Sequence, residues 1–241
     1  MLKLPTIQGI IRRRLLVNFH VDPEIVQRQL PARFRPKLYE GRAVAGICLI
    51  RLEHIRPKGL PEMIGMSSEN GAHRIAVEWD EDGQTLEGVF IPRRDTNSRF
   101  NHLFGGRLFP GVQHAATFEV EESDTRISLS MKAKDNSVQV KVEGQVAENL
   151  PSGSIFKSLA DASRFFEKGS RGLSVTADPQ RLDSIALRTD QWRVEPIDLQ
   201  SVYSSYFADA HRFPAGSATF DHALLMRNIA HEWLNASDMY L

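Results

Sequence analysis

Cysteine is almost missing from this chain: Cys48 stands alone among 241 residues. One thiol excludes an internal disulfide framework and any cysteine-based zinc site. Net charge is also missing. Lys and Arg total 30, and Asp and Glu total 30, so no overall field draws in a polyanion, and nucleic acid is not an expected partner. Long apolar runs are missing too. The longest plain one, Ala43–Ile50, has eight residues, far below the ~20 that cross a bilayer. The first residues, MLKLPTIQGIIRRR, have no apolar core followed by a small-residue cleavage site, so no secretory signal is expected and a cytoplasmic location is. A Gly-x-Gly-x-x-Gly fingerprint and a phosphate-binding loop are absent, so no nucleotide cofactor is expected. A nucleophile elbow fails at its last position in Gly65-Met66-Ser67-Ser68-Glu69. Asp221-His222 and His231-Glu232 do not have zinc-helix spacing, so no metal is expected.

What is present reads as strands. Ile7–Phe19 is a predicted strand, followed by a short helix with Asp22 as N-cap, Pro23 at its first position and Pro31 ending it after Leu30. Ala43–Ile50 is apolar at every position, which predicts a strand covered on both faces. Ala72–Trp79 alternates, with His73, Ile75, Val77 and Trp79 on one face and Arg74 and Glu78 on the other. Asp80–Gly83 predicts a turn, and Thr85–Ile91 the returning strand. A meander follows. Ala116, Phe118 and Val120 share a face, then Ile127, Leu129 and Met131, then Val138, Val140 and Val142 beyond the turn at Lys134–Ser137. Ile155, Phe156, Leu159, Ala162 and Phe166 recur at helical spacing up to Gly169, and shorter strands are predicted at Leu173–Thr176, Ile185–Val194 and Thr219–Leu225. There is no repeat and no linker, so residues 1–241 are expected to form a single domain. The expected class is mainly β: a closed or cone-like antiparallel barrel with a few peripheral helices. The arginine clusters Arg12–Arg14 and Arg93-Arg94 are expected to be solvated or at strand edges, and Cys48 to be a buried, inert thiol.

Four stretches, in this order, carry a family resemblance. They are Arg12–Leu30, Ser68-Glu69-Asn70-Gly71, Leu108-Phe109-Pro110 and Phe220-Asp221-His222-Ala223. Together they resemble the acetoacetate decarboxylase-like superfamily, and within it a bacterial branch often called YqjF-like. The resemblance implies a cone-like β-barrel around an enclosed, mostly apolar cavity. In the decarboxylase two adjacent lysines follow the Phe/Tyr-Pro dipeptide, and one forms a Schiff base with the substrate ketone. The matching positions here are Gly111 and Val112, so that amine is missing. Lys132, Lys134 and Lys141 lie opposite the apolar face of the meander; a solvated lysine is protonated at neutral pH and is a poor nucleophile.

The resemblance also implies that Glu69 and Arg12 face the cavity. Arg12 would hold a substrate carboxylate with its fork of donors, and Glu69 would serve as general acid or base. Three other readings stay open: Arg12 and Glu69 pair with each other, they cap backbone groups, or Arg13 or Arg14 is the true match. His114, by parity with Ala116 and Phe118, points inward, either as a satisfied core histidine or as a second catalytic group. His102, Arg107, Phe109 and Gly111, on or beside the loop before His114, are expected to contact substrate, with the loop as a lid. The expected function is a small-molecule pocket protein acting on an oxo acid or related carbonyl compound without a lysine Schiff base. The alternative is a metabolite-binding protein without catalysis. The expected partners are a small ligand such as a carboxylate, and further copies of the chain in a homo-oligomer; a membrane is not among them.

Overall fold

Two strands of unusual length organise the sheet, and both are longer than the sequence pattern suggests. In the computed structural model, which describes residues 6–104 and 110–241, β1 runs over Ile7–Val21 and the last long strand over Ala218–Asn235. Between them, in chain order, come α1 (Pro23–Gln27), β2 (Arg35–Pro36), β3 (Leu38–Tyr39), β4 (Arg42–Pro57), β5 (Met66–Glu81) and β6 (Gln84–Thr96). They are followed by α2 (Arg99–Phe104), β7 (Gln113–Glu122), β8 (Arg126–Ala133), β9 (Gln139–Val146) and α3 (Leu159–Lys168). The chain closes with β10 (Arg171–Val175), β11 (Arg181–Arg188), β12 (Glu195–Ser204), β13 (Ala218–Asn235) and β14 (Met239–Tyr240). No helix among the described residues is long and apolar enough to cross a membrane.

The local chemistry explains the main boundaries. Asp82 and Gly83 both take positive φ, and Glu81 pairs with Gln84, so a two-residue Asp-Gly turn links β5 to β6. Pro23 opens α1, but Asp22 makes no side-chain cap and instead pairs with Arg42. The helix stops at Gln27, earlier than predicted, and the next three residues continue as single turns. Ser158 caps α3 by accepting from the Asp161 N–H at 3.1 Å.

The strands join into one 14-stranded sheet that closes on itself through two hydrogen-bonded circuits. Both circuits share the long strands β13, β1, β4, β5 and β6. The wider circuit returns through β7, β8, β9 and β12. The narrower one returns through β10 and β11. The division is possible because each end strand is long enough for two partners. β6 pairs with β10 at Val89–Ile91 and with β7 at Arg94–Thr96, both parallel. Likewise β13 pairs with β12 near Leu225 and with β11 near Trp233. The sheet is therefore mainly but not wholly antiparallel, and its β-rich class is as the sequence predicts.

The shared strands are covered on both faces. Leu15, Val17, Ile47, Leu49, Ile75 and Val77 pack with Leu129, Met131 and Val140 of the meander. On the reverse, Leu16, Val44, Cys48, Ala72, Ala76 and Ile91 pack against Phe156, Phe165 and Phe166. The face of β5 that carries Arg74 and Glu78 is thus a second core face, and Arg74 on it is only 3% exposed. Lys132, Lys134 and Lys141 are exposed, on the side of the meander away from its buried residues.

Candidate functional site

A cavity of about 150 Å³ lies within the narrower circuit, and each of that circuit's seven strands contributes to its wall. That is roughly ten times the ~10–15 Å³ one water needs by the same measure. Most of the wall is apolar: Ile50, Leu52, Val89, Ile91, Ile185 and Trp192 are among its residues. Into it project three arginines, Arg14 of β1, Arg74 of β5 and Arg94 of β6, together with Cys48, Asn70 and Gln113. No Asp, Glu or Lys is found among the described lining residues.

The hydrogen-bond partners of the three arginines are neutral, and Asp183 acts on Arg94 only through its charge. Arg14 donates from Nε to Cys48 Sγ at 3.3 Å and lies over the Trp192 ring, 5.7 Å from its centroid. Arg94 donates from Nε to Ser174 Oγ at 2.9 Å. Arg74 lies 4.8 Å over the Phe166 ring and donates from Nη2 to Asn18 Oδ1, while its Nε and Nη1 have no partner among the described residues. Burial pushes the guanidinium pKa of both Arg74 and Arg94 down to about 10, which leaves them cationic at neutral pH. Charges are rarely buried without a counter-charge or a metal. Three guanidiniums around one hollow therefore make an anion-binding environment.

Behind Arg74 runs a buried relay. Asn18 Nδ2 donates to Leu16 O at 3.2 Å and to His222 Nε2 at 3.1 Å, and His222 Nδ1 donates to Asp221 Oδ2. Burial raises the Asp221 pKa, but hydrogen bonds from His222, the Ile155 N–H and Ser154 outweigh it and hold the carboxyl at about 2. The relay orients the His222 ring between Asn18 and Asp221, and it turns the Asn18 carbonyl toward Arg74. The Phe220–Ala223 stretch thus supports a cavity cation from behind.

The residues expected to form the site are placed differently. Arg12 is exposed and donates to Asn228 Oδ1 at 2.8 Å. Its neighbours hold the two positions left open for it: Arg13 is buried and Arg14 lines the cavity. Glu69 is buried, but it pairs with Arg13 at 2.5 Å and Arg51 at 3.5 Å; Ser68 and Asn70 on either side of it reach the cavity wall. His114 is not a lining residue; its side chain is 38% exposed and its Nδ1 lies 3.9 Å from Asp135. Burial, and next the Arg93 charge, lower its pKa. His102 is exposed, bonds through Nδ1 to Gln113 O at 2.8 Å, and borders a separate hollow beside Arg99 and Lys134.

Gly111 has φ +73°, and its N–H donates to Asp183 Oδ2 at 2.8 Å. A Cβ there would lie 2.6 Å from Ser174 Cβ, so no lysine fits this backbone. Arg107 and Phe109, and with them residues 105–109 of the expected lid, lie outside the described residues. The arginine clusters are corrected as well. Arg13 is 1% exposed, Arg14 and Arg94 face the cavity, and Arg93 pairs with Asp95 at 2.8 Å. Among the described residues no group of three or more His, Cys, Asp or Glu could hold a metal ion.

A family model for an uncharacterized conserved protein, DUF2071, matches residues 10–229. The chain belongs to the DUF2071 family. No curated protein sequence matches it. Solved structures match this DUF2071 chain over nearly its whole length. An acetoacetate decarboxylase from Legionella pneumophila matches with TM-score 0.59 and 13% identity, covering 99% of this chain and 88% of its own. An acetoacetate decarboxylase-like enzyme from Sphingomonas wittichii matches with TM-score 0.58 and 12% identity, covering 100% and 94%. The enduracididine biosynthesis enzyme MppR complexed with pyruvate matches with TM-score 0.58 and 13% identity, covering 98% and 90%. At these identities the likeness establishes the acetoacetate decarboxylase-like fold.

Proposed function

We propose that this protein binds a small carboxylate, of the oxo-acid class, in the cavity between Arg14, Arg74 and Arg94, and that it does so without forming an imine. The observation that carries the reading is three guanidiniums around one hollow with no acidic residue in the described wall. Two donors of buried Arg74, Nε and Nη1, have no partner among the described residues, and each can donate to an anion's oxygen. The apolar remainder of the wall suits the short carbon skeleton. The MppR structure with pyruvate, on the same fold, supports an oxo acid over other anions. The absence of lysine from the described wall supports the exclusion of a Schiff base. Anchoring, first expected of Arg12, passes to Arg74 in this proposal.

Calorimetric titration with pyruvate, acetoacetate, acetate and inorganic phosphate tests the reading. Saturable binding of the oxo acids, tighter than acetate and lost in Arg74→Met, is expected. Equal or absent binding across the panel would sink it. Borohydride added with pyruvate is expected to leave the protein's mass unchanged; a reduced adduct on lysine would refute the imine-free part.

A second reading is turnover of a carbonyl compound by acid/base chemistry, favoured by the enzymes named on the same fold. Proton NMR of the same oxo acids tests it. Loss of carbon dioxide or exchange of the protons next to the carbonyl, weakened in Glu69→Gln, would place the protein among carbonyl-processing enzymes.

A further inference from the structure

The described cavity wall holds one thiol, and the proposed function leaves it without a role. Cys48 lies on β4, is 7% exposed, and lines the wall between the arginines. Arg14 Nε donates to its sulfur at 3.3 Å. Arg74 and Arg94 line the same cavity as this thiol. A second and independent feature points to an occupant next to it. Arg74 is buried and lines this cavity, yet two of its donor nitrogens have no partner among the described residues.

We propose that Cys48 is a covalent capture site for a small acid whose electrophilic carbon adjoins its carboxylate, a 2-oxo acid or an aldehyde acid. The inference rests on the anion-binding reading of the cavity and adds a bond to it. Arg74 and its neighbours hold the carboxylate, which brings the adjoining carbonyl carbon to the sulfur. The Sγ–C bond forms, the carbonyl π pair moves to its oxygen, and the thiol proton ends on that oxygen. The product is a hemithioketal or hemithioacetal, and no other reactant is consumed. Reversal restores both partners. Such an adduct cannot act as the electron sink that an imine provides, so the chemistry is reversible capture rather than decarboxylation.

The test uses two alkylating reagents that differ in charge. Iodoacetate and iodoacetamide both form an S–C bond with loss of iodide and of the thiol proton to buffer. Cys48 is the only cysteine, so intact mass reports this one site. The native protein is expected to react at least tenfold faster with iodoacetate than with iodoacetamide. The chain unfolded in urea, as the reference, should show no such preference. Pyruvate should slow both reactions on the native protein. Arg74→Met, or Arg14→Met if the first variant does not fold, should reduce the preference at least fivefold. With glyoxylate carrying carbon-13 at its aldehyde carbon, a new hemithioacetal resonance should appear for the wild type and not for Cys48→Ser.

Native protein that reacts no faster with iodoacetate, or that gives no such resonance, overturns the proposal. The affinity of Cys48→Ser for pyruvate separates the two failures. If that variant binds pyruvate while the capture signals are missing, capture alone is wrong. If neither it nor the wild type binds pyruvate, the anion-binding reading falls as well.

Discussion

Arg74 and Glu69 sit five positions apart on β5, and they illustrate two fates of a buried charge. Arg74 has only uncharged hydrogen-bond and ring partners, so the fold supports its desolvation without a counter-ion. Arg74→Met is expected to leave the melting temperature unchanged or raised, because a flexible apolar chain removes that desolvation cost. The same change should weaken oxo-acid binding by about 10- to 100-fold, the worth of a charged hydrogen bond of about 1.5–3 kcal/mol. Scanning calorimetry and titration on the same sample check both halves. Glu69 is the reverse case: it neutralises buried Arg13 and does not itself reach the cavity wall. Glu69→Gln should therefore destabilise the protein by about 1.5–3 kcal/mol, since buried Arg13 loses a charged hydrogen bond but keeps Glu122 at 3.4 Å. Under the binding reading it should leave pyruvate affinity within about twofold. Urea unfolding and titration distinguish this structural part from a catalytic one, for which stability would hold and turnover would fall.

At the level of single elements, β1 contains the irregularity that hid the site. On β4, Leu52 and Arg51 are adjacent, but their partners on β1 are Ile11 and Arg13, so Arg12 is an extra residue on that side. This β-bulge reverses the parity of everything before it. Ile11 and Arg14 therefore share the cavity face, and Arg12 is turned out to solvent. Asn228, the partner of the Arg12 guanidinium, takes φ +55°, a conformation that β-branched residues resist. Asn228→Val is expected to cost about 1–2 kcal/mol and Asn228→Gly much less, as read from urea midpoints. Equal losses for the two would mean that the backbone there is not constrained. The sequence did carry the strand order of the meander, the Asp82-Gly83 hairpin and the two-sided burial of Ala43–Leu49, because periodicity and turn chemistry are local. It also carried the missing amine at Gly111. It did not carry the bulge, because one extra residue leaves no compositional trace. The role of Arg74 was not legible, because Glu78 shares its parity and a charged pair at that spacing does not mark a cavity wall. Ala72 and Ala76 on that face were the available sign of a second core. Asn18 and His222 come together only across the β1–β13 pairing, which no local pattern reveals.

Taken as a whole, the molecule is five long strands used twice, once around an apolar core and once around a cavity. Burial on both faces leaves little water for the polar groups these strands carry, and two histidines show the cost. His73 of β5 is packed against Tyr206, with ring centroids 4.4 Å apart and no partner for either ring nitrogen among the described residues. Burial, and next the charges of Arg93 and Arg212, push its pKa down to about 3. His231 of β13 is likewise pushed down to about 4, by burial and next by the Arg14 charge. In the unfolded chain both titrate near ~6.5. Between about pH 4 and 6.5 these two histidines make the unfolded state bind up to two more protons than the native one, His114 adds in the same direction, and the stability they contribute is full above that window and lost as the pH falls through it. The expected slope approaches roughly 3 kcal/mol per pH unit. Asp95 and Asp183 act with the opposite sign. Burial raises their pKa, so the native state takes up their protons first and the slope flattens toward the acid end. Urea unfolding at intervals from pH 7.5 down to 5 measures the curve. His73→Leu, which keeps an apolar side chain in the same packing, should remove about half of the slope and leave the protein relatively more resistant to acid. Parallel curves for the variant and the wild type would mean that His73 keeps its proton when folded, and that this strand face is wetter than its packing implies.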